Sequence, residues 1–338
     1  MRTRRIKAPP EASSGFYHCM SRVVDRRLIF KDAEREQFSR LMRQYARFCG
    51  IRILTHCIMG NHFHLLVEVP QRSENPPDDA ILLDRISAIY KPAQVEAIRS
   101  RLSTLSPIDG NALRQRFWRR MGDISQYLKE LKQRFSQWHN LRQGRRGTLW
   151  EERFRSVLIG ADGSALSTIA AYIDLNPVRA GLVKTPSAYR WSGYGEAMAG
   201  RPEALAGYQT LMSATAGVTL TPSMALNEYR HRLSSFAERR GVSIPALQPR
   251  KLHRPRDGKS AKRHPAPTSD SGICRHLLCR IRYFSEGAVI GSRGFVESIA
   301  LAHERWSMRR RTPKVHAVSG FEWDSLFSLK AMRAPIGV

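Results

Sequence analysis

The stretch CIMGNHFHLLVEVP, residues 57–70, decides the fold and contains the first candidate functional residues. Gly60-Asn61 is a turn signal, and the residues after it alternate as they do in a strand. Because side chains i and i+2 of a strand share a face, His62 and His64 project together. Paired imidazoles can bind a divalent metal ion and leave room for a phosphate oxygen. Two unrelated strand histidines would give the same pattern, so both interpretations stay open.

The sequence around this stretch predicts an antiparallel sheet with helices on one face. Further strands are predicted at 15–24 and 51–59, a short apolar segment lies at 157–159, and helices are predicted at 32–49, 123–141 and 164–176. Pro177 is expected to end the last helix. Strands and helices in this order predict the α+β class.

The charge of the chain indicates a polyanionic partner. Its 56 Lys and Arg residues against 29 Asp and Glu give a formal net charge of +27. Nucleic acid is the first expectation, because each cation set against a phosphate releases a condensed counterion. A membrane partner is disfavoured, since no apolar run reaches transmembrane length. The odd number of cysteines without a secretion signal predicts a cytoplasmic protein, and Cys274 and Cys279 lack the second pair that a zinc site needs.

Composition also predicts the division of the chain. A main domain is expected over 1–245, with a charged helical insertion at about 71–122. Residues 246–271 are rich in Pro, Lys, Arg, His and Ser, which indicates a basic linker. Apolar periodicity returns over 272–338, which predicts a small C-terminal accessory unit.

The predicted helix at 164–176 contains a second pair of candidate residues. Tyr172 and Asn176 are four residues apart and therefore lie on one helical face. A phenol is a competent nucleophile when a metal polarises a phosphate, and the Asn amide offers a neutral oxygen ligand. Taken alone, this pair is more often a packed Tyr and a capping Asn.

Several motifs in order resemble one family. They are the stretch at 57–70 with YHCMSRVVDRRLIF (17–30), RRGTLWEERFRS (145–156), YIDLNPVRAGLV (172–183) and SAYRWSGY (187–194). Together they closely resemble the REP-associated tyrosine transposases, which belong to the HUH single-tyrosine transposase superfamily. The resemblance covers most of residues 15–200.

The resemblance implies a ferredoxin-like fold for the 1–245 domain and a function. It implies a metal-dependent single-strand DNA endonuclease and strand transferase that forms a 5′-phosphotyrosine intermediate. Tyr172 would be the nucleophile, His62 and His64 the ligands of Mg²⁺ or Mn²⁺, and Asn176 the residue that completes the metal site. The implied substrate is single-stranded or hairpin DNA from palindromic repeats, bound by a monomer or a homodimer.

A basic segment between the two motifs is the predicted DNA contact. Its aromatic residues, Trp150 and Phe154, are expected to be buried, and its arginines to face phosphates. These arginines are Arg142, Arg145, Arg146, Arg153 and Arg155. The alternative function is a domesticated, sequence-specific DNA-binding protein without catalysis. His18 and His56 are interpreted as packed strand residues.

Overall fold

The computed structural model describes residues 5–161, 164–238, 284, 288–307, 314–318 and 326–329. Its sheet has the order β2-β3-β1-β4-β5-β7-β6. All pairings are antiparallel except that of β4 with β5. The strands are β1 (Ser14–Arg22), β2 (Arg52–Ile58), β3 (His62–Pro70), β4 (Arg155–Ile159), β5 (Val289–Gly291), β6 (His316–Ala317) and β7 (Phe327–Ser328).

Helices fill most of the remaining described chain, which confirms the α+β class. The helix predicted at 32–49 has those bounds, and it ends where Gly50 adopts the left-handed conformation with φ 67°. The helices are α1 (Asp32–Cys49), α2 (Asp79–Ser87), α3 (Pro92–Thr104), α4 (Pro107–Trp118), α5 (Ile124–Arg142), α6 (Ala165–Asp174), α7 (Asn176–Arg179), α8 (Gly193–Met198), α9 (Pro202–Ala216), α10 (Pro222–Glu238) and α11 (Arg293–Ser307).

An aromatic core lies on the face of the sheet to which Phe63 points. The ring centroid of Phe63 is 4.7 Å from that of Phe38 in α1 and 5.6 Å from that of Trp150. Phe135 of α5 packs against Phe38 at 5.2 Å. Helices α1 and α5 therefore form the predicted layer on this face.

Helix α6 adds a layer on the opposite face. His64 follows Phe63 in the strand and so points away from the aromatic core, toward Tyr172 of α6. Every residue of α6 from Ala165 to Asp174 except Thr168 is buried, so this helix needs cover on both sides. The sheet provides one side, and α9 and α10 provide the other. Helices therefore cover both faces of β3, which is buried along most of its length.

The buried carboxylate of Asp174 anchors α6. It accepts hydrogen bonds from Thr55 of β2 at 2.8 Å, Tyr208 of α9 at 2.7 Å and Tyr229 of α10. These bonds join the sheet and two helices at a point two residues after Tyr172. The position of Tyr172 over the sheet is thereby fixed.

The described residues near the C-terminus extend the main sheet. Leu158 of β4 pairs with Val289 of β5, and β5 pairs in turn with β7. Part of the predicted unit 272–338 therefore shares the sheet of the predicted domain 1–245. In the main domain, residues 71–122, predicted as a helical insertion, contain α2, α3 and α4. The linker 246–271, Cys274 and Cys279 lie outside the described residues, and the division itself stays a prediction. No helix in the described ranges is long and apolar enough to cross a membrane.

Candidate active site

The two histidines of β3 share a face, as the alternation of a strand requires. Their ring centroids are 5.1 Å apart and their planes meet at 83°. His64 is buried, whereas His62 at the start of the strand is half-buried. One of the two imidazoles that could bind a metal therefore lies inside the protein, and the other lies near its surface.

Helix α6 brings Tyr172 to this pair. The Tyr172 ring lies edge-on to His64, with centroids 5.9 Å apart, and 6.1 Å from the ring of His18. On its other side, the ring of Phe284 approaches to 5.0 Å. Only 3% of Tyr172 is exposed. The phenol is therefore held by aromatic neighbours from a strand, a second strand and the C-terminal part of the chain.

Arg179 holds Tyr172 from the following turn. Its guanidinium donates a hydrogen bond to the carbonyl of Tyr172 at 2.7 Å, and its Cζ lies 4.1 Å from the centroid of the phenol ring. Sequence reasoning did not select this residue. The available signal was a cationic residue seven positions after Tyr172 within YIDLNPVRAGLV.

Asn176 lies outside the helix that carries Tyr172. The predicted helix 164–176 ends at Asp174, and Asn176 begins the short helix α7. Pro177 has no backbone N–H to continue the hydrogen bonding of α6, so the chain breaks and restarts there. The Nδ2 atom of Asn176 donates to the Tyr172 carbonyl at 3.3 Å. A metal ligand would have to be the other amide atom, Oδ1.

His18 of β1 contacts the site directly, although the sequence indicated only a packed residue. Its Nε2 atom lies 2.9 Å from Nδ1 of His64, and its Nδ1 lies 2.6 Å from the carbonyl oxygen of Phe284. In the β1–β3 register Met20 is opposite His64, which makes His18 a diagonal neighbour on the same face. Burial lowers the pKa of His18 to about 4 and that of His64 well below its usual value, so both rings are neutral near pH 7.

The donors at the site fit a divalent cation. Within the described part of the chain no group of three or more His, Cys, Asp and Glu side chains could hold a metal. Imidazole pairs and amide oxygens are both donors that divalent cations accept. The Nδ1 atom of His62 is 2.7 Å from Oδ1 of Asn61, and that of His64 is bonded to His18. Coordination through Nε2 would leave both of these hydrogen bonds intact.

The five predicted DNA-contacting arginines lie in and beside the segment that joins α5 to β4. Arg142, Arg146 and Arg153 are exposed, and Arg145 and Arg155 are half-buried. As expected, the aromatic residues of this segment are buried. Trp150 lies in the aromatic core, and Phe154 is covered by the guanidinium of Arg5 at 3.6 Å from its centroid. Neither ring can stack on a base in this conformation.

Comparison with known proteins gives a partial match in sequence. Residues 11–76 match the family model described as "Transposase IS200 like". That range contains His18, His62 and His64, and Tyr172 lies beyond it. No curated protein matches the chain.

One solved structure is described as the REP-associated tyrosine transposase bound to a REP hairpin. It is similar to 59% of this chain and 86% of its own, at 16% identity and a TM-score of 0.38. Over residues 11–76, which carry both histidines of the His-x-His pair, the chain is thus similar in sequence to the IS200-like transposases.

Proposed function

We propose that the protein is a metal-dependent single-strand DNA endonuclease and strand transferase, a transposase that acts on hairpin-forming repeat DNA. The observation that carries the proposal is the placement of Tyr172 edge-on to His64, beside His62 on the same face of β3. The proposed nucleophile and the two proposed metal ligands come from sequence positions more than 100 residues apart, and their contact supports the proposal. The family match over the histidines supports the same function.

The proposed reaction begins with attack of the Tyr172 hydroxyl oxygen on a backbone phosphorus. The new O–P bond joins Tyr172 to the 5′ side of the break, and the P–O3′ bond opens. The phenol loses its proton, and the departing 3′ oxygen gains one, so that a free 3′-OH remains. A 3′-OH of a second strand then attacks the phosphotyrosine and releases Tyr172. The phosphotyrosine conserves the bond energy, so the exchange needs no nucleotide cofactor.

Each side chain at the site has a proposed role. His62 and His64 would hold Mg²⁺ or Mn²⁺, with Asn176 Oδ1 as a further ligand. When bound, the ion would neutralise charge on the phosphate oxygens as the reaction proceeds. Arg179 keeps the backbone of Tyr172 in place and sets a positive charge beside its ring. A rigid helix end of this kind orients the phenol, and orientation accounts for much of the rate of such a reaction.

The surface of the protein suits the proposed substrate. The net charge of +27 and the arginine-rich segment before β4 favour a phosphate backbone. We expect Arg142, Arg145, Arg146, Arg153 and Arg155 to contact single-stranded or hairpin DNA. A monomer or a homodimer acting in the cytoplasm is part of the same proposal.

A covalent-adduct assay tests the proposal. The protein is incubated with a labelled hairpin that carries a single-stranded flank, with Mg²⁺, Mn²⁺ or EDTA, and resolved on a denaturing gel. A labelled band at the mass of protein plus DNA, present with metal and absent with EDTA, is the expected result. Hairpin binding in a native gel without any covalent band would support the DNA-binding protein without catalysis instead.

A further inference from the structure

We infer that His18 is a positioning residue that fixes His64 in the tautomer able to bind a divalent cation through Nε2. The inference rests on the proposed function, because it assigns a partner to one of the proposed metal ligands. His18 comes from β1, 46 residues before His64. Nothing in the proposed chemistry so far gives it a role.

The hydrogen bonds of His18 determine where its proton lies. A carbonyl oxygen only accepts, so the contact of 2.6 Å with Phe284 places a hydrogen on Nδ1 of His18. A neutral imidazole has one donor and one acceptor, and complete burial disfavours the charged ring. The Nε2 atom of His18 is therefore an acceptor.

The acceptor on His18 in turn determines the tautomer of His64. The Nδ1 atom of His64 lies 2.9 Å from Nε2 of His18 and must donate to it. The planes of the two rings are close to parallel, at 23°, with centroids 5.1 Å apart. With its hydrogen on Nδ1, His64 carries its lone pair on Nε2. That lone pair is what a divalent metal binds.

His62 reaches the same tautomer through a different partner. The Asn61 amide donates from Nδ2 to the carbonyl of Arg26 at 2.9 Å, which leaves its Oδ1 to accept from Nδ1 of His62. Arg26 itself has φ 53°, a left-handed conformation that is costly for a residue other than glycine. Two separate hydrogen bonds, one to His18 and one to Asn61, thus place the hydrogen of each histidine on Nδ1. This agreement is expected if both rings serve one ion.

His18 does not act as a third ligand, because both of its ring nitrogens are engaged by Phe284 and His64. Its effect on a metal passes through His64. We call the two hydrogen bonds from His64 to His18 and from His18 to the Phe284 carbonyl the relay. Because the relay ends on Phe284, the C-terminal part of the chain contributes to the site.

The test measures metal affinity and tautomer in the full-length, DNA-free protein. Mn²⁺ is titrated by calorimetry into the wild type, His18→Phe and His18→Gln. Loss of the acceptor in His18→Phe is expected to weaken Mn²⁺ binding by roughly 10-fold or more. The Gln amide can accept from His64 and donate to Phe284, so His18→Gln is expected to stay within about threefold of the wild type.

His56→Phe is the matched control. His56 is another buried histidine of the sheet, and it lies on β2. It pairs with Leu65, the residue after His64, so His56 points to the face of the sheet opposite to that of His64. Wild-type Mn²⁺ affinity is expected for it. Side-chain ¹⁵N NMR of histidine-labelled, metal-free wild type should show His64 with its hydrogen on Nδ1, a readout that needs no variant to fold.

The outcomes separate this inference from the proposed function. Mn²⁺ binding that depends on His18, without any covalent adduct on DNA, would support the relay and contradict the transposase chemistry. A folded His18→Phe protein with wild-type Mn²⁺ affinity would overturn the relay, whatever the adduct assay gives. The relay is equally overturned if His64 carries its hydrogen on Nε2, or if the wild type binds no Mn²⁺.

Discussion

The ring of Tyr172 stands edge-on to the ring of His64, with centroids 5.9 Å apart and planes at 90°. The two residues belong to α6 and β3, and the carboxylate of Asp174 ties α6 to the sheet. A phenol beside an imidazole, the pair proposed above as nucleophile and metal ligand, is an arrangement suited to phosphoryl transfer.

Both histidines of the pair are expected to be required for chemistry and dispensable for binding. His62→Ala or His64→Ala should lower the rate of adduct formation roughly 1000-fold or more, because Lewis-acid stabilisation contributes several kcal/mol. Hairpin affinity should change little, since the basic surface provides most of it. Single-turnover gels and a native-gel titration measure the two quantities. His56→Ala is the control, and an adduct at the wild-type rate in either site variant would contradict the assignment.

Removal of the Arg179 guanidinium is expected to slow the reaction without weakening DNA binding. Arg179→Met retains the apolar stem but loses the hydrogen bond to the Tyr172 carbonyl and the charge beside the ring. A misplaced phenol should reduce the rate by roughly 10- to 100-fold.

The matched control for Arg179→Met is Arg190→Met. Arg190 also lies over an aromatic ring, with Cζ 4.2 Å from the centroid of Trp191, but it is exposed. The same charge is lost in both variants. Equal effects on the adduct rate would show that charge alone matters and that Arg179 has no positioning role.

The anchor of α6 predicts a specific dependence of stability on pH. Burial raises the pKa of Asp174 to about 6, against the hydrogen bonds from Tyr229, Tyr208 and Thr55 that favour the ionised form. A group whose pKa is higher in the folded state stabilises the protein below its unfolded pKa. That contribution is lost as the pH rises through the folded value.

Comparison with Asp174→Asn isolates this contribution, because Asn does not titrate. The free energy of unfolding of the wild type, relative to the variant, should fall by about 2 kcal/mol between pH 4 and pH 7. Urea denaturation at several pH values provides the measurement. A constant difference across this range would mean that the carboxyl is not protonated in the folded protein at pH 4–5.

The sequence predicted the elements of the site better than the contacts among them. Alternation placed His62 and His64 on one face, and the order of motifs that resembles a known family directed attention to Tyr172 and Asn176. The sequence did not reveal the register between β1 and β3. His18 contacts His64 only because Met20, and not Cys19 or Ser21, pairs with His64. No local pattern indicates which residue a neighbouring strand will place opposite another.

Contacts between distant parts of the chain could also not be predicted from sequence patterns. Phe284 reaches His18 across 266 residues, and the region between includes the predicted linker. The short strands β5, β6 and β7 span three, two and two residues, too few for alternation to mark them. The C-terminal residues were therefore interpreted as a unit of their own.

A chain ending at residue 245 tests that division. It lacks Phe284 and β5, so His18 loses its carbonyl acceptor and β4 loses its parallel neighbour. We expect a lower melting temperature and Mn²⁺ binding weakened by roughly 10-fold. Thermal denaturation and calorimetry would measure both. If the shortened chain has the melting temperature and the Mn²⁺ affinity of the full-length protein, the C-terminal unit is separable and these contacts are not important.

The identity of the attacking tyrosine is the most direct test of the whole account. The adduct formed on a hairpin with Mn²⁺ is digested with trypsin and nuclease, and the DNA-modified peptide is sequenced by mass spectrometry. Cleavage after Arg155 and Arg179 yields the peptide 156–179, whose one tyrosine is Tyr172, and Tyr189 falls in the separate peptide 185–190. We expect the nucleotide on Tyr172, no adduct from Tyr172→Phe, and an adduct retained by Tyr189→Phe, whose wild-type hydroxyl donates to the Ile58 carbonyl at 2.7 Å. A nucleotide on any other tyrosine, or an adduct that survives in Tyr172→Phe, would contradict the assignment of Tyr172 as the nucleophile.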